Sequence, residues 1–580
     1  MKSDDNLLTL TFELLNTQKR GKGYWKFNNQ LLLDEVYIRL IKDELKQINL
    51  GNNKLDNKNT FWDFVKCQLR TITISYSISK SKKRKEMENS LLKKIENLEK
   101  DLANNRENLY ESNKAKEQWE TLENKKVESI IFRSKLKWVE QGERNTKFFF
   151  DTEKRNYNQK HITKLISEDQ SEITDPVDIL EEERQYYKKL YSSERKLDTG
   201  IYDQFLKNIN IPKLNDLDKD ICETPLKIEE IGKALKDLSN DKTPGTDGFT
   251  TNFYKFFWPD IKHLLYDAFR FSFEKGELSQ DQRRGILNLI PKANKDLRFL
   301  KHWRPISILN TDYKILAKAL ASRLQEVLPK LVNTDQAGYI KGRYIGENVR
   351  IIEDIMTYTE LKHLPGYIIL IDFEKAFDSV SWDFLLNSLL SLNFGRNFIK
   401  WIQILYTSIE SCVTNNGYSS RHFQLNRGIR QGCPLSALLF ILVAEIMAIK
   451  IRSQENIKGI RCENTEFKIV QLADDTTVFV SDTASIGNLI SVLQNFELCS
   501  GLKINIDKTE IIPMGTNKNK ILRLQKPLNK IKVNNGTFKT LGIWFSYDHN
   551  KAIMQNYQEK LNKMQIILNI WKSRCLSWKR

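Results

Sequence analysis

An apolar run that ends on an acid, YIILID at 367–372, and a strand-like stretch carrying two acids, QLADDTTVFV at 471–480, constrain this chain more than any other feature. Branched and aromatic side chains favour a pleated, buried surface, so Ile368 to Ile371 read as a strand that delivers Asp372 at its end. Strand-like residues flank the second block on both sides, Phe467 to Leu472 and Thr477 to Val480, which puts Asp474 and Asp475 at the tip of a β-hairpin. Adjacent side chains on a strand diverge, so Asp372 and Asp474 are the expected principal metal ligands and Asp475 the supporting one. Between the blocks lies RGIRQGCPLS at 427–436, a Gly/Pro loop with basic and amide side chains. This order suits metal-dependent phosphoryl transfer on nucleotides. Such chemistry uses two divalent ions roughly 4 Å apart, and Mg2+ takes a few carboxylates together with phosphate and water oxygens. An Asp-Asp pair alone is common in surface turns; Asp372 and the intervening loop give this one its meaning.

At 580 residues the chain is too long for one core and should divide into several units. Its 92 Lys and Arg against 74 Asp and Glu give a formal net charge of +18 and a pI near 9.2. That excess implies a polyanionic partner, because neutralising phosphates releases condensed counterions, although charge does not separate RNA from DNA. The longest apolar stretch, Ala437 to Ala444, falls short of the ~20 residues a bilayer needs and is closed by Glu445, so a buried helix is expected and no membrane. Seven scattered cysteines with no CxxC pair fit a reducing compartment, and the spacing of Cys412, His422 and Cys433 matches no common zinc pattern. The polar start MKSDDN carries no secretory signal, and an intracellular location, nucleus or cytoplasm, is expected.

Along the chain, LLTLTFELL is strand-like with no turn-linked partner before it. From about 30 to 160 the pattern is helical. Leu91, Ile95, Leu98, Leu102 and Leu109 follow heptad-like spacing, which predicts a helical hairpin or short coiled coil and leaves dimerisation through residues 90–110 open. Lys80, Lys82, Lys83, Arg84 and Lys85 form a basic run with three readings: a phosphate contact, a nuclear address, or a solvated helix face. Trp138, Arg144, Lys147, Phe148, Phe149, Lys154 and Arg155 interleave rings with cations, a pattern that stacks bases and tracks a nucleic-acid backbone; Trp138 and Phe148 to Phe150 read equally well as core anchors. DKTPGTDGFT at 241–250 marks a turn into a mixed α and β unit. A strand at 286–292 should lead to a loop carrying Trp303, Arg304 and Pro305. A helix through Leu316, Leu320, Leu324 and Leu328 follows, and another through Leu385, Leu389 and Leu392 should end near Gly395.

Several of these segments, in order, resemble reverse transcriptases, and specifically those of non-LTR, LINE-type retrotransposons. They are KTPGTDGF at 242–249, LIPK at 289–292, WRPIS at 303–307, IDFEKAFDSV at 371–380, RQGCPLS at 430–436, LADD at 472–475, GLKINIDKT at 501–509 and LGI at 541–543. The resemblance runs from about residue 130 to 580, and RGKGYWKFNN at 20–29 is similar to the join after this family's endonuclease. It implies an α+β right-hand polymerase (fingers, palm, partial thumb) preceded by a mainly helical N-terminal extension. The boundaries it suggests are 1–29 for the endonuclease remnant and junction, 30–229 for the extension, 230–345 for fingers, 346–530 for palm and 531–580 for primer grip and thumb, with the polymerase domain over about 272–546. The implied reaction extends the 3′-hydroxyl of a DNA primer or target DNA along an RNA template with dNTPs, using two Mg2+ ions or Mn2+ in their place.

Carried over residue by residue, the resemblance implies that Asp372, Asp474 and Asp475 are catalytic and that Lys292 and Arg304 grip the triphosphate, as a point charge and a planar fork. Phe373, Phe377 and Gln431 would contact the nucleotide, Phe377 excluding a 2′-hydroxyl by bulk. Gly432 and Pro434 would let backbone approach the template base, Leu541 and Gly542 would form the primer grip, and Lys508 would be the candidate proton donor. Leu472 departs from the Tyr or Phe that usually begins the family's catalytic hairpin, which puts fidelity and processivity in question. Ser3-Asp4-Asp5 resembles the endonuclease's terminal Ser-Asp-His with the His replaced, so no nicking is expected. The end at WKSRCLSWKR, inside the expected thumb, suggests a fragment of a longer element protein. Two rival readings remain at this level: an inactive RNA-binding remnant, and an intron- or retron-type reverse transcriptase.

Overall fold

The computed structural model describes residues 21–51, 56–102, 110–121, 124, 161–167, 169–192, 199–207, 209–293, 295–518 and 530–572. LLTLTFELL, Ser3 to Asp5, the aromatic and basic cluster of Trp138, Arg144, Lys147 and Phe148, Leu109, and the last eight residues lie outside them.

Residues 21–29 are folded against the main core, which takes in Phe27. Trp25 packs edge-on against Phe249 with ring centroids 5.3 Å apart, and Phe27 does the same to Phe253 at 5.0 Å. Tyr24 Oη donates to Pro244 O (2.9 Å) and Phe27 N to Gly248 O (2.9 Å). Gly248 has φ +82, and a Cβ there would stand 2.5 Å from Trp25 O, so the glycine of TPGTDGF is required by this contact. At the other edge Gly21 N and Gly23 N donate to Asn416 O and Gly417 O, both at 2.9 Å.

Helix α1 (Glu35–Gly51) buries Tyr37, Ile41, Leu45 and Ile48, one helical stripe. Helix α2 (Lys58–Leu102) buries Phe61, Trp62, Val65 and Leu69 in its first turns and becomes exposed further on. A second helical run at 110–121 folds back along it: Lys94 Nζ lies 3.3 Å from Glu111 Oε2, and Leu91, Ser112 and Ala115 are buried. Of the heptad-like series, Leu91 is buried and Ile95 and Leu98 are half-buried. In the basic run, Lys80 is paired with Asp34 at 2.6 Å.

Lys66 of α2 is fully buried and surrounded by carboxylates from its own helix and three later segments. Its Nζ stands 3.0 Å from Asp312, 3.2 Å from Asp63, and 3.7 Å from both Asp247 and Asp281. Trp62 Nε1 also donates to Asp312 Oδ2 at 2.8 Å. Burial pushes Asp247 up to about 7 against the pull of Lys66. Helix α3 (Pro176–Tyr191) is capped by Asp175 and buries Ile179, Glu183, Tyr187 and Tyr191; α4 (Trp258–Lys275) packs on α2.

Two five-stranded sheets come next. In the first, β1 (Arg284–Pro291) pairs antiparallel with β2 (Trp303–Leu309). Trp303, Arg304 and Pro305, expected in a loop, thus open a strand; Pro305 is tolerated because β2 is an edge strand, where a missing N–H breaks no ladder. Helix α5 (Thr311–Leu331) carries the expected leucine stripe inward, and α6 (Ile345–Leu361) leads into β3 (Pro365–Ile371). Helix α7 (Trp382–Ser391) ends through Asn393 in the left-handed region (φ 64) and not at Gly395, which has φ −75 and precedes α8 (Arg396–Tyr406). Strand β4 (Glu410–Asn415) then returns to the first sheet, parallel to β1, with β5 (Tyr418–Ser419) and β6 (Phe423–Gln424) both on it. These residues fall within the expected palm stretch but belong to the sheet of β1 and β2. Helix α9 (Ser436–Ser453) is the apolar segment read as a buried helix, and it is buried along most of its length. No helix among the described residues is long and apolar enough to cross a membrane.

The second sheet has the order β7 (Ile469–Leu472), β8 (Asp475–Val480), β3, β9 (Glu510–Gly515), β10 (Lys532–Val533), with α10 (Thr483–Ser500) between β8 and β9. Alternation along β3 feeds two cores: Tyr367, Ile369 and Ile371 face the main one, and Ile368 a second one with Ile352, Met356, Phe479 and Ile512. The hairpin β11 (Phe538–Thr540) and β12 (Ile543–Phe545) closes that second core with Phe538 and Phe545, and α11 (His549–Lys572) completes the described chain.

Candidate active site at the end of the central sheet

Asp372 follows the last residue of β3, and the ladders on either side fix its neighbours. Ile371 pairs with Thr476 of β8 and Leu370 with Glu510 of β9, so the same antiparallel registers carried onward put Asp475 level with Asp372 on one side and Lys508 on the other. Lys508 Nζ lies 3.1 Å from Asp372 Oδ2, and Asn505 Nδ2 donates to that oxygen at 2.8 Å. Asn505 N also donates to Asp372 O at 2.8 Å, fixing the main chain.

Leu472 and Asp475 form the last pair of the β7–β8 hairpin, leaving Ala473 and Asp474 as its tip. Ala473 has φ 58, an uncommon conformation for a residue with a Cβ. Gln336, wholly buried in the loop after α5, holds it there. Its Oε1 accepts from Ala473 N (2.8 Å) and Gly338 N (2.9 Å), and its Nε2 donates to Ala473 O (3.4 Å). Gly338 lies so close that a Cβ on it would be 2.5 Å from Ala473 N. The loop is itself fastened: Gln471 N donates to Asp335 O (2.8 Å), Ala337 N to Gln471 O (2.9 Å), and Arg452 Nη1 to Asp335 Oδ2 (2.7 Å). Sequence reasoning missed Gln336, since one glutamine in NTDQAG carries no periodic signal; the glycine two residues later is the sole hint.

The acids are mutually unfavourable. Asp474 and Asp475 reach solvent, yet the surrounding protein raises both carboxyls, Asp475 to about 6, with burial the first cause and the neighbouring aspartates adding to it; Arg304 draws Asp474 the other way. No three His, Cys, Asp or Glu side chains among the described residues are drawn together closely enough to cage a metal ion. Three carboxylates at one sheet end repel one another, and Asp372 is held by Lys508 and Asn505. The donor set nevertheless fits Mg2+, which characteristically takes one or two carboxylates and completes its shell with phosphate and water oxygens.

Cations stand across from the acids. Lys292 and Arg304 come from the adjoining ends of β1 and β2, where Arg304 is exposed and paired across the ladder with Ile290. Lys292 Nζ donates to Lys301 O at 3.0 Å, and its pKa is lowered by burial and then by the charges of Lys508 and Arg304, while Asp372 and Asp378 act the opposite way. Lys292, Arg304, Lys508 and the aspartates thus share one electrostatic neighbourhood.

The other candidates divide. Phe377 is half-buried and stacks on Phe440 of α9 (4.6 Å, 17°). Phe373 is buried in the main core and bridged to Ile504, so its ring is a packing element. Gln431 Nε2 donates to Asp378 Oδ2 at 3.0 Å, and Gln431 O accepts from Ser307 N at 2.7 Å. Gly432 has φ +112, and a Cβ there would stand 2.5 Å from Ser307 O, so the close approach it permits is to β2; Pro434, half-buried, precedes α9. Leu541 (φ 54) and Gly542 (φ 77) form the tip of the β11–β12 hairpin, with Leu541 packed on the second core.

Residues 290–545, which span both sheet ends and the hairpin, match the family model described as reverse transcriptase (RNA-dependent DNA polymerase). The chain carries a reverse transcriptase domain over those residues. The chain is 29% identical over 578 residues to the Transposon TX1 uncharacterized 149 kDa protein of Xenopus laevis, covering 98% of the chain and 43% of that protein. It is 26% identical over 273 residues to the Retrovirus-related Pol polyprotein from type-2 retrotransposable element R2DM of Drosophila melanogaster, covering 47% of the chain and 25% of that protein. A probable RNA-directed DNA polymerase from transposon BS, also of Drosophila melanogaster, is 25% identical over 222 residues, covering 37% and 24%. The chain spans less than half the length of each of these curated relatives. These relatives are transposon and retrotransposable-element proteins, and the architecture of the chain is mixed α and β.

Proposed function

We propose that the chain is an RNA-directed DNA polymerase that extends the 3′-hydroxyl of a DNA primer on an RNA template, taking dNTPs and releasing pyrophosphate. The observation that carries the reading is the register at the end of β3, which sets Asp372 between Asp475 and Lys508 with the Asp474 tip alongside. The second sheet would be the palm, and the first sheet with α5 the fingers. The net charge of +18 suits a nucleic-acid partner.

In this reaction the primer 3′-hydroxyl gives up its proton to solvent and its oxygen forms a bond to the α-phosphorus, while the bond from that phosphorus to the bridging oxygen breaks, its electrons leaving with pyrophosphate. Lys292 and Arg304 attract the triphosphate and hold its negative charge at the edge of the first sheet. Asp372 and Asp474, with Asp475 in support, would hold two Mg2+ ions, which offset phosphate charge and acidify the primer hydroxyl when bound. Lys508, already beside Asp372, is placed to give a proton to the departing pyrophosphate.

Primer extension by the purified chain on an RNA template with a DNA primer, dNTPs and Mg2+ tests this beside Asp474→Asn. Synthesis by the parent and a loss of at least about a thousandfold in the variant, with RNA binding retained, is the expected result. No synthesis by a folded, RNA-binding parent would overturn it.

A further inference from the structure

Asp378, six residues beyond Asp372, is wholly buried with both carboxylate oxygens engaged. Oδ1 accepts from Tyr191 Oη at 2.7 Å and Oδ2 from Gln431 Nε2 at 3.0 Å. Tyr191 is the last residue of α3, far upstream of the two sheets, and its carbonyl accepts from Asn426 N at 2.9 Å while Arg427 Nε donates to Leu190 O at 2.7 Å. The loop running on to Gln431 is stitched to Asp378's own turn: Gly428 N donates to Val380 O and Ile429 N to Phe377 O, both at 2.7 Å. Gly428 (φ +85) leaves no room for a Cβ, which would meet Asp378 O at 2.7 Å.

This arrangement sets more than distance. An ionised carboxylate only accepts hydrogen bonds, so it binds Gln431 through the amide nitrogen and turns the amide oxygen away from itself. A glutamine free in a half-buried loop could present either end. We propose that Asp378, braced by Tyr191 of α3, is a positioning residue for Gln431, fixing which end of its amide meets the incoming nucleotide. The inference rests on the reading of Gln431 as a nucleotide contact. It makes α3 a contributor to nucleotide binding that acts through a buried carboxylate.

Steady-state single-nucleotide incorporation on an RNA template tests it with Asp378→Ala, Asp378→Asn, Tyr191→Phe, Gln431→Ala and the Asp378→Ala/Gln431→Ala double variant, with melting temperature followed throughout. Asp378→Ala should raise KM for the dNTP about tenfold, the scale of one charge-assisted hydrogen bond, with kcat within about threefold. Asp378→Asn, which still offers an oxygen to Gln431 and a nitrogen to the tyrosine oxygen, should restore most of the loss. The double variant should be no worse than Gln431→Ala alone, because the two act as one unit. If Asp378→Ala does not fold, Tyr191→Phe carries the test: it should raise KM in the parent and change nothing in the Gln431→Ala background. Multiplying effects, or a fall in kcat at constant KM, would overturn the positioning role while leaving the polymerase reading intact. A folded parent that incorporates nothing overturns both.

Discussion

Gln336 holds Ala473 by both of its main-chain polar groups: Ala473 N donates to Gln336 Oε1 at 2.8 Å, and Gln336 Nε2 donates to Ala473 O at 3.4 Å. The residue so held is the one whose φ of 58 turns the hairpin and aims Asp474. Replacing Gln336 by Ala would leave two buried N–H groups, of Ala473 and Gly338, without an acceptor. The expected loss is about 2–4 kcal/mol of stability on the scale of unsatisfied buried donors, together with a drop of about tenfold or more in kcat. Denaturant titration and primer extension on one preparation check both. Unchanged kcat in a folded variant would show that the tip keeps its shape unaided.

Lys66 Nζ lies within 3.7 Å of Asp63, Asp247, Asp281 and Asp312, and Lys66→Met should therefore destabilise the chain by about 3–5 kcal/mol, as expected when one member of a buried ionic group is removed. The effect has a pH signature. Asp247 is already raised to about 7, so the folded state binds more protons than the unfolded between about pH 4 and 7, and stability falls as pH rises through that window. Without Lys66 the window extends upward, so the variant should lose more at pH 8 than at pH 5.5. Urea titrations at the two values read the difference; an equal loss would mean that Asp247 does not titrate there.

Asp475 is raised to about 6, which makes its ionised form unfavourable to the fold at neutral pH. The sign follows from proton binding: the folded state holds the proton between about pH 4 and 6 and the unfolded state does not, so this group lowers stability as pH rises through that range. In metal-free buffer Asp475→Asn should melt ~1–2 °C above the parent at pH 7.5 and level with it at pH 4. Added Mg2+ should narrow the gap at pH 7.5 by stabilising the parent alone. Scanning calorimetry in chelator and in Mg2+ distinguishes these outcomes.

Phe377 rests on Phe440 with the two rings 4.6 Å apart and nearly parallel, a seat that fixes the position of its ring. Phe377→Val should raise incorporation of ribonucleotides relative to deoxyribonucleotides by about tenfold or more, at little cost in dNTP turnover. Competition between the two substrates on one template measures the ratio, and an unchanged ratio would remove Phe377 from sugar selection.

The parts of the fold that were legible in the sequence depend on local patterns. The run at 367–371 had to be a strand because its residues serve two cores, and the acids at 474 and 475 had to be near a hairpin tip because strand-like residues flank them. WRPIS misled because proline argues against a strand interior, and only knowledge that β2 lies at an edge removes the objection. Gly395 misled for a related reason: Asn393 supplies the left-handed turn two residues earlier. Lys66, Gln336, Asp378 and Tyr191 were illegible because each matters through at least one partner more than a hundred residues away, and spacing along the chain holds no trace of such contacts. The packing of the join at 21–29 was equally illegible, since Trp25 meets Gly248 and Phe249 more than two hundred residues away.

The return of β4 to lie parallel with β1 has a consequence for how the molecule is made. The first sheet takes two strands from before β3 and three from after α8, so it stays half-built until translation has passed residue 424, and β1 waits through more than a hundred residues for its parallel neighbour. The two sheets are therefore not beads expected to fold in turn as they leave the ribosome. They condense together and late, the slow route for sheets with distant pairings, and a nascent chain halted between them presents an open strand edge to whatever chaperone or neighbouring chain reaches it first.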